Sequence, residues 1–539
     1  MNLRCKDIII PIMKSILIFV ASLFVFNTAL ADTPKAAKKL PAITGKPYSG
    51  LPDSQPPYTN GTISNSPNLD LSLPDSNRES SLPDLGDISQ TVLTPQDEQR
   101  IAEQILREVA VSHEVLQDTE VNDYLQNLGN KLAASGPDKS QKFSFFVVKD
   151  SSINAFAMPG GVIGVHTGLV LASNSESELA SVLSHEIGHV TQRHLARMLA
   201  SQKYDTFKNI AGIALALLVS RSNPELATGA MATASAAGIQ RQLDYTREHE
   251  READRVGLTI LDAAGFDTRA MPAFFSTLQR SSRFSEGTAP SFLRTHPLNA
   301  ERIADVAGRV ENTPYRQVAN SLDFNLVRAK LRAGNGLPQA ATEQFQGNIA
   351  DGRFANETAE RYGLALALLR KNNVNGAQEQ FKWLSLNGVK HPFIESLSAQ
   401  IEVARNNPQA AASQYAKALK LYPMHRALIY GYAEHYLAIN QADNALKLLI
   451  EKKGIYPNDP YFYDMMAKAY AQKDKNLLRY QAQGEAYIRK YNVEKAIEQF
   501  NFALKAKDGN FYEQSIVEAR LKELKRQQDN EKLADKRLS

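Results

Sequence analysis

LASVLSHEIGHVTQRHLARML, residues 179 to 199, sets His185 beside Glu186 and brings His189 four positions after the first histidine. On an α-helix, residues four apart project within about 40° of one another. Both imidazoles can therefore reach one ion, while Glu186 points beside them toward an open coordination position. Two neutral histidines and one carboxylate leave a zinc ion net positive, which acidifies water toward a pKa of about 7, and the adjacent Glu186 can take the proton. Leu179, Val182, Leu183 and Ile187 make this helix substantially apolar, so it reads as a buried element and not as a solvated face with incidental histidines. The "SESE" run from Ser175 to Glu178 predicts a capping box at its start.

The third ligand must come from elsewhere. A site completed on the same helix would need a glycine at position 192 and a histidine at 195, and Gln192 and Leu195 exclude it. His194, nine residues past His185, falls on the opposite face of a continuous helix and reads as structural. The better source is LDYTREHEREADRVGLTILDAAG, residues 243 to 265. As a helix ending at Gly265 it puts Leu243, Arg247, Glu250, Asp254, Gly257 and Leu261 on one stripe, with Glu248 and Glu252 pointing away. Two carboxylates on a partly apolar stripe need partners. Glu250 as a metal ligand and Asp254 as acceptor for a ligand imidazole N–H would supply them; the alternative is an ion-pair face with Arg247 and Arg251. His296, next to Pro297, is open to three readings: an additional ligand that displaces water and holds the site latent, a donor to an oxyanion, or a cap for the helix beginning near Asn299. His166 and His435 have no partner at ligand spacing and read as packing or surface residues.

Helical periodicity begins near Pro95 and resumes in VNDYLQNLGNKLAAS, and FSFFVVKD follows as a strand. NAFAMPGGVIGVHTGLV then predicts a turn at Pro159, Gly160 and Gly161 leading into a second strand, with residues 154 to 161 forming a cleft edge to which a peptide can add as a strand. The run from Ile210 to Val219 and the Ala/Gly/Thr-rich stretch after it read as a helical flap near the site. Beyond Asp323 the chain is helical, and the pairs Ala377/Phe381, Ala411/Tyr415 and Ala445/Leu449 recur every 34 residues. That is the tetratricopeptide period of two antiparallel helices per unit. A fourth pair, Ala496/Phe500, comes 51 residues later, so the array there is irregular or carries an extra helix.

Residues 1 to 31 read as an export signal: a basic flank, the apolar run from Ser15 to Phe26, and a small-x-small pattern ending at Ala31. Such a run is short for a membrane anchor. The single cysteine, Cys5, lies in this leader, so the exported protein would have no disulfides and any metal site must use His, Asp and Glu. Both features point to a bacterial-type periplasmic protein. Residues 32 to 94, rich in Pro, Ser, Asn and Asp, read as a disordered tether. A net charge of +4 on 539 residues gives no nucleic-acid footprint.

HEIGH from His185 to His189, EREAD from Glu250 to Asp254 and the preceding NAFAMPGG from Asn154 to Gly161 together resemble the M48 metallopeptidase family. THPL from Thr295 to Leu298 and the C-terminal repeats extend the resemblance over nearly all of the chain after the tether. The resemblance implies a mainly α chain, with an α+β zincin-type domain over 95–320, a tetratricopeptide α-solenoid over 321–520 and a charged tail over 521–539. It further implies one zinc ion held by His185, His189 and Glu250, with Glu186 as catalytic acid/base. The activity it implies is that of a periplasmic endopeptidase acting on unfolded or misassembled outer-membrane proteins. Its repeats would dock those substrates or the outer-membrane β-barrel assembly machinery, and peripheral membrane association is compatible with this. The competing expectation is a repeat-based chaperone whose peptidase domain is mainly a scaffold.

Overall fold

A computed structural model describes residues 93–200, 247–284, 291–311 and 313–538. The expected leader, nearly all of the tether and the 210–219 flap lie outside the described residues.

Thr94 caps helix α1 (Pro95–Val111) through a reciprocal bond pair with Asp97, and Asp118 caps α2 (Thr119–Ala134). Strands β1 (Ser144–Val148), β2 (Ala155–Met158) and β3 (Val162–His166) form a sheet of order β1-β3-β2, β3 running parallel to β1 and antiparallel to β2. The expected turn at residues 159 to 161 is a single 3-10 turn with Gly160 at φ 72°, but it joins two strands, because Ala155 to Met158 already pair with β3. β2 is an edge of this sheet.

After α3 (Thr167–Ala172), α4 (Glu176–Thr191) is buried from Glu176 through His189. Ser175 accepts the Glu178 N–H as expected, but the Glu178 carboxylate reaches the Asn174 N–H, so the reciprocal bond of a capping box is displaced by one residue. Leu179, Leu183 and Ile187 pack in one core with Ile163 and Val165 of the sheet, Leu132 of α2, and Ile260 and Leu261 of α6 (Arg247–Ala263). Between α4 and α6 stands α5 (His194–Ala200); α7 (Ala270–Phe284), α8 (Ser291–Thr295) and α9 (Ala300–Glu311) complete this part.

From α10 (Leu322–Gly334) to the long terminal helix α21 (Phe511–Leu538) the chain is a helical array. Left-handed residues Asn372, Asn406, Asn440 and Asp474 turn it at 34-residue steps, and Tyr491 repeats the turn only 17 residues later. That half-step accounts for the late Ala496/Phe500 pair: Asn476–Arg489 is followed at once by Val493–Lys505, one helix more than a regular pair. The small partners Ala377, Ala411, Ala445 and Ala496 are fully buried, and Tyr415 and Phe500 press on Gly431 and Gly484, where any side chain would collide. No described helix is long and apolar enough to cross a membrane.

Candidate metal centre

Three stretches far apart in sequence, α4, α6 and the α8–α9 stretch, come together. Helix α4 presents His185, Glu186 and His189; α6 presents Glu250 and Asp254; the chain leaving α8 presents His296; and α9 adds Arg302. All seven residues are at most 3% exposed.

The approach of the two central helices depends on glycine. A Cβ on Gly188 would sit 3.0 Å from the Ala253 carbonyl oxygen, and one on Gly257 would sit 3.1 Å from the His185 nitrogen. With no side chains between the backbones, Glu250 reaches the histidines directly. His185 Nε2 lies 3.0 Å from His189 Nε2 and 3.5 Å from Glu250 Oε2, and His189 Nε2 lies 3.4 Å from Glu250 Oε1. His296 Nδ1 completes the group at 3.3 Å from His185 Nε2 and 2.9 Å from Glu250 Oε1.

Donors held about 2.0–2.1 Å from a tetrahedral ion are about 3.3–3.4 Å apart, so these spacings suit a zinc-sized cation. The four residues could hold such an ion with donor atoms all within 4.8 Å of one another. The side chains behind them agree. His185 Nδ1 is 2.9 Å from Asp254 Oδ1, which holds a proton on Nδ1 and turns Nε2 toward the other donors. Arg302 grips both Asp254 oxygens at 2.8 Å and sits 2.6 Å from Glu250 Oε2.

Charge is distributed unevenly over this group. Burial opposes charge on His185, but the bonds and charges of Asp254 and Glu250 overcome it and raise its pKa to about 10. Burial dominates at His189 and pushes it well below the ordinary value. Glu250 stays well below the carboxylate range because the three histidines outweigh its burial. A cation bound among these donors would displace the proton from His185, as ligation requires. Glu186 has neither carboxylate oxygen in a hydrogen bond of good geometry, and burial raises its pKa.

Glu250 and Asp254 are thus not an ion-pair face with Arg247 and Arg251; their cationic partner is Arg302, and Arg251 pairs with Glu301. Arg302 shares the buried stripe of α9 with Val306 and Val310, so the rule that flagged the two carboxylates applied to it as well. His296 is not a helix cap: Asn299 Oδ1 takes the Arg302 N–H at 2.8 Å, while His296 stacks on Phe292 and lies 3.5 Å from Glu186 Oε1. The opposite-face reading of His194 fails because α4 stops at Thr191. Arg193, at φ 50°, turns the chain so that His194 Nδ1 comes back to 2.9 Å from His189 Nδ1. His166 bonds Ser152 and His435 bonds the Pro408 carbonyl, both away from the donor group.

The sequence profile of Peptidase family M48 matches residues 119–310, and a tetratricopeptide repeat profile matches 402–469. A Vibrio cholerae protein of the beta-barrel assembly-enhancing protease type is 32% identical over 445 residues, 82% of this chain and 92% of its own length. The Beta-barrel assembly-enhancing protease of Escherichia coli K12 is 28% identical over 451 residues, 83% of this chain and 92% of that one. Metalloprotease YcaL of the same bacterium is 30% identical over 172 residues, 31% of this chain and 62% of its own.

Proposed function

The chain belongs to peptidase family M48 and is a metalloendopeptidase; from that premise we propose that it is a zinc-dependent protease of the periplasm that removes stalled or misassembled outer-membrane proteins, using its repeats to dock substrate or the assembly machinery. The observation that carries the reading is the convergence of His185, His189 and Glu250 on one point with Glu186 beside it. Outer-membrane substrates are suggested by the names of the relatives, and the periplasm by the leader sequence.

A zinc ion in this site would supply Lewis acidity, polarising the scissile carbonyl and acidifying water. The chain does the rest. Glu186, buried and without a well-aligned hydrogen bond, takes a proton from the attacking water and passes it to the leaving nitrogen. Asp254 and Arg302 hold His185 and Glu250 in place. The edge of β2 offers backbone groups along which an extended peptide can lie, since Ala157 and Met158 line the same cleft as His189. His296 would be a fourth donor to such an ion, in the place that substrate needs, and we assign it a restraining role that ends when the 295–298 segment moves.

Glu186→Gln should lower cleavage of unfolded outer-membrane protein by at least about 10²-fold with zinc content unchanged. Equal proteolysis by the variant and the wild type would overturn the enzymatic assignment. Retained substrate binding by the inactive variant would separate docking by the repeats from hydrolysis. His296→Ala should raise turnover; unaltered zinc affinity and turnover would remove that residue from the site.

A further inference from the structure

The two histidines of the HEIGH motif are oriented by different means. Each must carry its proton on Nδ1 if its Nε2 is to face an ion. For His185 the acceptor of that proton is a carboxylate, Asp254. For His189 it is another imidazole, His194, whose Nδ1 lies 2.9 Å from His189 Nδ1. Two ring nitrogens at that distance bond only if one carries hydrogen and the other is bare.

The next partner decides which. His194 Nε2 is 3.1 Å from Glu252 Oε2, and a carboxylate only accepts, so the His194 proton sits on Nε2. Its Nδ1 is then bare, and the hydrogen between the two rings belongs to His189. Glu252 is held in turn by Arg197, whose Nη1 donates to the same oxygen at 2.8 Å. His194 is fully buried and stacked on His249, with ring centres 4.5 Å apart at 18°.

We propose that His194 and Glu252, braced by Arg197, form a positioning relay that fixes the Nδ1-protonated form of His189 and aims its Nε2 at the metal. Neither residue is among the donors: His194 meets His189 only on the Nδ1 side. The relay is built by the reversal at Arg193, whose guanidinium bonds the Leu93 carbonyl and Glu98, so the first turn of α1 helps hold the turn that returns His194. It also explains the side of α6 facing away from the donors: Asp254 orients His185 directly, and Glu252 orients His189 through His194.

The inference rests on reading His185, His189 and Glu250 as metal donors, and the test separates the two. Zinc affinity of the full chain is measured by competition with a chromophoric chelator, beside thermal denaturation of chelator-stripped protein. His194→Ala should weaken zinc about 10–100-fold, the usual effect of losing an outer partner of a metal-bound imidazole. Glu252→Gln should also weaken it, because the amide can donate to His194 Nε2 and push the His194 proton onto the nitrogen that faces His189. His194→Asn, whose amide oxygen can accept, should recover part of the loss. Wild-type affinity in both His194→Ala and Glu252→Gln, with only the melting temperature of the stripped protein lowered, would reduce these residues to packing and overturn the relay. If His194→Ala does not fold, the partly exposed Glu252→Gln decides the matter alone. Failure of the wild type to bind zinc would overturn the donor assignment and the relay with it.

Discussion

Arg302 is a cation with 2% of its surface exposed, pressed against Phe275 and held by two carboxylates that would otherwise be buried anions. Removing one partner of such a group leaves uncompensated charge, at a cost of about 3–5 kcal/mol. Arg302→Met should therefore destabilise the chelator-treated protein by that amount in denaturant melts. Zinc should restore more stability to the variant than to the wild type, since the ion would bring positive charge to Glu250 directly and to Asp254 through His185. An equal loss with and without zinc would show that Arg302 acts by packing alone. Most of the residues that converge here were legible in the sequence because their pattern is local: two histidines four apart on an apolar helix. His194 was not, since nothing in Gln192 or Arg193 announces that the helix stops before them; a left-handed arginine is a product of its contacts to Leu93 and Glu98.

Between elements, the site depends on how closely α4 and α6 approach. Alanine usually favours a helix over glycine by about 1 kcal/mol. At Gly188 the added methyl would meet the Ala253 backbone at 3.0–3.2 Å, and backbone in a packed helix yields little. Gly188→Ala should therefore lower stability by about 1–3 kcal/mol and weaken zinc binding as Glu250 is pushed from the histidines, with melting temperature and chelator competition as the measures. A gain in stability would show that the two helices can slide apart. The two glycines stand in the sequence, but the reason for them does not: a glycine within a helix reads as a defect until its neighbour is known.

Across the whole molecule, the repeats are packed onto the peptidase part. One core runs from Leu183 and Leu169 through Phe324 to Tyr362 and Phe393. Polar links reinforce it: Lys330 bonds Asp118 and Glu120 at 2.7 and 2.6 Å, and Arg426 bridges Asp123 of α2 to Asp459 of the array. His425 lies at this junction, with His391, Asp323, Lys330 and Arg426 as its charged surroundings. Burial and the nearby His391 lower its pKa to about 4. Between pH 6.5 and 4 the unfolded chain binds a proton there that the folded chain refuses, so stability is retained above pH 6.5 and lost as pH falls through this window. His425→Gln should flatten that part of the stability curve, read as melting temperature against pH; an unchanged slope would place the acid sensitivity at other groups. Residue order alone was enough to point to the metallopeptidase family, the buried character of the HEIGH helix and the 34-residue rhythm of the repeats, because each is written in local motifs and spacings. It took the folded chain to make Arg302 the balance for the carboxylates, to bring His296 among the donors, to return His194 to His189 and to give repeats and peptidase a common core. Those contacts join residues 5 to more than 300 positions apart, and the spacing along one helix carries no information about which surface of another will meet it.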